Sequence, residues 1–193
     1  MKKKLGIRSG FTLIELLIVV AMAASVTTIV VGVIASTLRG ANKSITINKV
    51  RENGNYAISQ MSRTIKYAKT IEGGKVNITD PSWSCQNIPQ APTPTPVPIH
   101  YKFVNVTAFD GTSYVFGCDE MNSTILMNAS EIIDAGPTGS VTLIPGSCYF
   151  TCSKGFIDTP AVGINFILSS KTSSALVESQ ATIPFSTFIK GRN

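Results

Sequence analysis

No proline occurs before Pro81, so nothing over residues 1–80 forces a helix to stop. Acidic side chains are missing from the opening stretch as well, where Glu15 is the only one before Leu38. Histidine is reduced to His100, and no Asp-x-Asp-x-Asp-Gly loop is present, which removes the usual template for a calcium site. A broad basic face is also lacking, despite the net charge of +6. Lys2, Lys3, Lys4 and Arg8 account for four of the 17 basic residues, which leaves 13 against 11 acids in the remainder. The basicity is therefore that of a topogenic segment, and a nucleic-acid surface would need a local cluster on the folded part. The 193 residues suffice for one ordinary domain plus an appendage.

What is present starts with Phe11–Leu38, apolar or small throughout apart from Glu15 and occasional hydroxyls. At ~1.5 Å per residue this makes roughly 40 Å of helix, enough to cross a bilayer core. The basic residues before it predict a cytoplasmic N-terminus, with everything after Leu38 outside, where cysteines oxidise. Beyond Leu38 a stripe of Ile47, Val50, Gly54, Ala57, Met61, Ile65 and Ala68 continues at helical spacing. Lys49, Arg51, Glu52, Arg63, Lys66 and Lys69 fill the other faces, and Gly73-Gly74 supplies a stop near Ile71. We expect this stripe to pack on a sheet; the alternative is a coiled-coil stalk.

After Gly74 the pattern changes to short β-branched and aromatic runs between turn residues. Expected strands are Val76–Ile78, Ile99–Thr107, Ser113–Cys118, Thr124–Met127, Ser140–Ile144, Cys148–Thr151, Ala161–Leu168 and Leu176–Phe185, the last two as a hairpin. Asp110-Gly111, Gly136-Pro137, Pro145-Gly146 and Ser169–Ser174 mark turns. The five prolines within Pro89–Pro98 predict an extended surface loop, bare or sugar-bearing. The fold class is thus α+β, a long N-terminal helix packed on an antiparallel β-sheet head. Its expected organisation is residues 1–10 as a leader, 11–38 as a transmembrane helix, 39–72 as its amphipathic continuation and 73–193 as a β-rich head containing the loop 89–98.

The run Gly10-Phe11-Thr12-Leu13-Ile14-Glu15-Leu16-Leu17-Ile18-Val19-Val20 behind a basic segment resembles the N-terminal signal of type IV prepilins and pseudopilins. The resemblance implies a pilin-like fold, cleavage by a prepilin peptidase between Gly10 and Phe11, and N-methylation of Phe11. It also matches Glu15 to the family's acidic position five residues into the mature chain. The implied partners are that peptidase, other pilin or pseudopilin subunits and membrane lipid, with no cofactor and no catalytic residue. Over Arg51–Ala68, and at Gly191-Arg192-Asn193, the chain is similar to minor pilins and pseudopilins lettered W and J. It departs from many major pilins in having no proline in the membrane helix and no cysteine after Cys152, which favours a minor subunit.

Each feature has a physical reason. Glycine leaves backbone open to a membrane protease, and cutting there removes the basic leader that holds the helix in place. A carboxylate inside a spanning helix costs roughly 2.5–3.5 kcal/mol or more, so Glu15 needs a partner. The ammonium of a newly exposed Phe11 on a neighbouring subunit would neutralise it and select in-register docking. Ala21-Met22-Ala23 also resembles a signal-peptidase site, which would release a secreted β-rich module starting at Ala24; a plain anchor is a further reading. Against the first, the apolar run continues to Leu38; against both, Glu15 has no role. A DNA-uptake tip subunit requires a cationic cluster on the head.

Cys85, Cys118, Cys148 and Cys152 are expected to form two disulfides, with three pairings open. A Cys148–Cys152 bridge is awkward in a straight strand, where residues four apart lie ~13 Å from one another. A zinc site lacks a second cysteine pair, and a thiol nucleophile with His100 as base lacks an orienting third group; His100 reads as a strand surface residue. Asp110, Asp119, Glu120 and Asp134 read as solvated loop charges. The sequons at Asn77, Asn105, Asn122 and Asn128 are at chance level for so Asn-, Ser- and Thr-rich a chain.

Overall fold

A computed structural model describes residues 11–87, 98–154, 160–171 and 179–191. One long N-terminal helix, α1 (Leu13–Lys66), is followed, among the described residues, by ten strands in two mainly antiparallel sheets. The chain divides into two compact units, Met1–Asn42 and Lys43–Asn193, which are described separately. The leader expected at 1–10 and nearly all of the proline-rich loop lie outside the described residues.

In the first unit α1 is apolar on all sides. Its hydroxyls do not interrupt this character: Thr27 and Thr28 donate to the carbonyls of Ala23 and Ala24, Ser36 and Thr37 to that of Val33, all at 2.8–2.9 Å. Each of these four hydroxyls is satisfied within its own helix and turns no unmet donor outward. The helix contains a stretch long and apolar enough to cross a membrane.

In the second unit the same helix becomes amphipathic, and Val50, Gly54, Ala57, Met61 and Ile65 are buried in one core with residues of both sheets. Gly54 is required by packing, because a Cβ there would run into the Phe185 ring, itself stacked on Phe166 at 5.2 Å. The helix ends at Lys66, earlier than the expected 72. Gly73 and Gly74 do not stop it; they lie inside strand β1 (Thr70–Lys75). There Glu72 is an extra residue between the pairs Ile71↔Val106 and Gly73↔Asn105, and Gly73 has φ +130°. A side chain at Gly73 would meet the Ser84 backbone at 2.6 Å, so close chain approach explains the glycines.

The first sheet has the order β1-β3-β4-β5-β6, with β3 (Phe103–Thr107), β4 (Ser113–Asp119), β5 (Thr124–Met127) and β6 (Ser130–Glu131). The second runs β10-β9-β8-β2, with β2 (Gln86–Asn87), β8 (Tyr149–Lys154), β9 (Ala161–Ser170) and β10 (Thr182–Lys190). β7 (Val141–Leu143) pairs with Leu168–Ser170 of β9, and β8 continues along the same flank at Ala161–Asn165. Between them Pro145-Gly146 bulges outward, and Ser147 Oγ accepts the Ile167 N–H at 3.2 Å in place of a strand carbonyl.

Several expected strands shift. Val76–Ile78 forms a turn, its N–H groups at 76 and 77 captured by the Asp80 carboxylate. The strand expected from Ile99 begins at Phe103, and the last runs Thr182–Lys190, beyond Phe185. β9 and β10 do form a hairpin. Pro184 fits β10 because this is an edge strand and its ring faces the unpaired side of the ladder. β2, which pairs parallel to β8, and β6 were too short for periodicity to reveal.

Candidate functional site

The site suggested by the sequence lies at the start of α1. Thr12 caps the helix, its hydroxyl accepting the Glu15 N–H at 3.3 Å. The pattern Thr12-x-x-Glu15 is a capping-box signature that the reading of Glu15 as a bare buried acid overlooked. Glu15 therefore sits in the first turn, where the helix dipole favours an anion. Its carboxylate meets no donor among the described residues. Gly10, on the leader side of the expected cut, lies outside the described residues.

Below Glu15 the apolar surface is unpartnered among the described residues: the large side chains from Phe11 to Leu38 are 50–78% exposed. An exposed apolar surface of this extent marks a membrane or an assembly interface. Chemically the segment offers one acid at one end of an otherwise uncharged helix face.

In the head the four cysteines pair as Cys85–Cys152 and Cys118–Cys148. The first fastens β8 to the chain just before β2, and the second joins β4 of the first sheet to the residue preceding β8 of the second. Their thiols are consumed, which removes both the zinc and the thiol-nucleophile readings. His100 lies apart from any cysteine chemistry, stacked on Tyr149 at 3.9 Å. Among the described residues no group of three or more His, Cys, Asp or Glu side chains converges as metal ligands would.

The loop acids are organisers of turns, where solvated charges were expected. Asp110 accepts the Thr112 N–H at 2.8 Å and Asp134 accepts both the N–H and hydroxyl of Ser140, and these bonds hold each carboxyl below its ordinary range. Asn122 does the same for Asp119 through its side-chain amide and backbone N–H. Glu120 is held low chiefly by its hydrogen bond to Lys102, then by that residue's charge. Lys102 also donates to the Cys148 carbonyl at 3.0 Å and Glu120 accepts from Gly146 at 3.1 Å, so this pair pins the β7–β8 bulge beside the second disulfide.

Sequence reasoning also missed a groove on the head formed by Arg63, Tyr67 and Tyr114 with their neighbours. Its helical members recur at spacings of three and four beside the core stripe, and of them only Arg63 is singled out by sequence reasoning, among the residues filling the other faces. Comparisons with protein-family models, with curated proteins and with solved structures found no match to this chain.

Proposed function

We propose that this chain is a minor pilin or pseudopilin, a structural subunit of a type IV pilus or a type II secretion-like filament with a pilin-like fold. The observation that carries the reading is the apolar half of α1, exposed on every side, with Glu15 as its single acid in the first turn. A plain anchor needs the length but has no use for that acid.

In this reading the prepilin peptidase hydrolyses the Gly10–Phe11 amide, and the released amine of Phe11 is methylated. The basic leader that held the helix in the membrane is gone, so the helix can leave the bilayer laterally and enter a filament. The Phe11 ammonium of one subunit answers the Glu15 carboxylate of the next, and a misregistered subunit would bury two unpaired charges. The N-terminus faces the cytoplasm, and the disulfide-bonded head is extracytoplasmic. No enzymatic step is assigned to the chain itself.

Intact mass and N-terminal sequencing of the protein recovered from its native membrane provide the test. A start at methylated Phe11 supports the filament subunit. A start near Ala24 would assign a secreted β-rich module, and a retained Lys2–Arg8 segment a simple anchor. Glu15→Ala is expected to be processed normally yet missing from sheared filaments; assembly at wild-type levels would remove the charge-pairing account.

A further inference from the structure

The groove noted above has a volume of about 620 Å³ and runs between the C-terminal end of α1 and the first sheet, lined by Gln60, Arg63, Thr64, Tyr67, Tyr114 and Met127. The helical members present one face at spacings of three and four. Its size is that of a small-molecule site.

The polar groups in this groove are largely unspent. The Thr64 hydroxyl is used internally, donating to the Gln60 carbonyl at 3.0 Å. The Gln60 amide, the Arg63 guanidinium and the hydroxyls of Tyr67 and Tyr114 have no partner among the described residues. The nearby acids are committed elsewhere: Glu72 accepts from Thr70 and Thr107, and Asp110 from Thr112. Lys66 adds positive potential, its ammonium 5.9 Å from the centre of the Tyr67 ring.

We infer that this groove binds a carboxylate-bearing saccharide, with Arg63 pairing the carboxylate, the two tyrosines stacking on sugar CH faces and Gln60 bonding the ring hydroxyls. A guanidinium fork matches a carboxylate bidentately, which sets the charge class of the ligand. Tyrosine presents an apolar face with a polar tip, and a sugar ring has the same division. Single-stranded nucleic acid fits less well, because it needs a track of cations following successive phosphates and the lining holds one. An acidic peptide would use Arg63 but offers the two tyrosine faces no ring of CH groups to stack on. This inference is independent of filament assembly.

The test uses the full chain in lipid nanodiscs, with tetragalacturonate as the probe, observed by saturation-transfer NMR and calorimetry. Neutral maltotetraose, tetraglutamate and a short oligothymidylate serve as competitors. Tetragalacturonate is expected to bind at least about tenfold more tightly than each of the other three. Arg63→Gln is expected to weaken it about tenfold or more, and Tyr114→Phe, which keeps the ring and so the packing, a few-fold. Arg63 is exposed, so its replacement leaves the fold intact, as circular dichroism will register. Unchanged binding in Arg63→Gln, absence of saturation transfer up to about 10 mM probe, or tighter binding of any competitor would overturn the assignment. Since the measurement reads monomers, its failure is distinct from failure of the processing experiment.

Discussion

Residues 13–42 and 43–66 share one helix, yet among the described residues the first part is buried nowhere while the second contributes Val50, Gly54, Ala57, Met61 and Ile65 to the core. Secondary structure is identical in the two; what differs is where the apolar surface goes. In the head half it goes into protein, and the ordinary hydrophobic gain of roughly 1.5–3 kcal/mol per large side chain is realised on folding. In the other half it must be realised in lipid or against other subunits. A single helix can therefore be a stability element along part of its length and an interaction surface along the rest.

Removing the head's covalent ties should separate the two halves most strongly. Chain-entropy arithmetic assigns about 4 kcal/mol to the Cys85–Cys152 bridge, which spans 67 residues. Paired serine replacements at both positions should lower head stability by about that amount and raise hydrogen exchange over 43–66. Exchange over 13–38 in a bilayer should stay the same. Equal loss of protection in both halves would break the comparison.

The next test places one substitution in each half. Gly54→Val forces the Phe185 ring from its site and is expected to cost about 2–3 kcal/mol in denaturant unfolding. Gly32→Val has open space around it and should leave that transition unmoved. Smaller effects follow at single polar groups. Thr124 is fully buried with its hydroxyl unpaired among the described residues, so Thr124→Val should stabilise the head by about 1 kcal/mol. Thr12→Ala removes the helix cap and should fray the first turn by about 1 kcal/mol, visible as faster exchange at the Glu15 amide and nowhere in the head.

The smallest effect is on pH dependence and is confined to the head. Glu120 ordinarily titrates near 4.5 and is held lower when folded. Its contribution is complete above that value and is lost as pH falls through the folded one. Because the pair with Lys102 is partly exposed and screened by solvent, the loss should be slight. Glu120→Gln should flatten the acid limb of the head's unfolding curve without moving the neutral plateau. An acid limb of unchanged slope would show that the turn aspartates carry it alone.

The two halves were also unequally legible. The apolar run and the stripe from Ile47 to Ala68 could be read directly, because helical period is a local property of side-chain order. The strands around Phe103–Thr107, Ser113–Asp119 and Thr124–Met127 were visible for the same reason, through alternation and turn residues. Gly73-Gly74 misled because glycine signals a helix stop and a close backbone approach alike, and only the nearness of Ser84 separates them. The last strand, expected over Leu176–Phe185, runs Thr182–Lys190 because its ends are set by its register against Ala161–Ser169 of β9, which is a tertiary property. Thr12 as a cap was readable from Thr-x-x-Glu; the groove at Arg63 was not, since Tyr114 and Met127 come to it from β4 and β5.

Local order of residues by itself determined the helix, its apolar and amphipathic parts, the position of the one acid in the apolar part, and the α+β class. Each depends on spacing along the chain, which sequence states outright. Disulfide partners, the division into two sheets, the task of each loop carboxylate and the existence of a groove were decided only by the tertiary structure. They depend on which distant segments come within a few ångströms, and no periodicity encodes that.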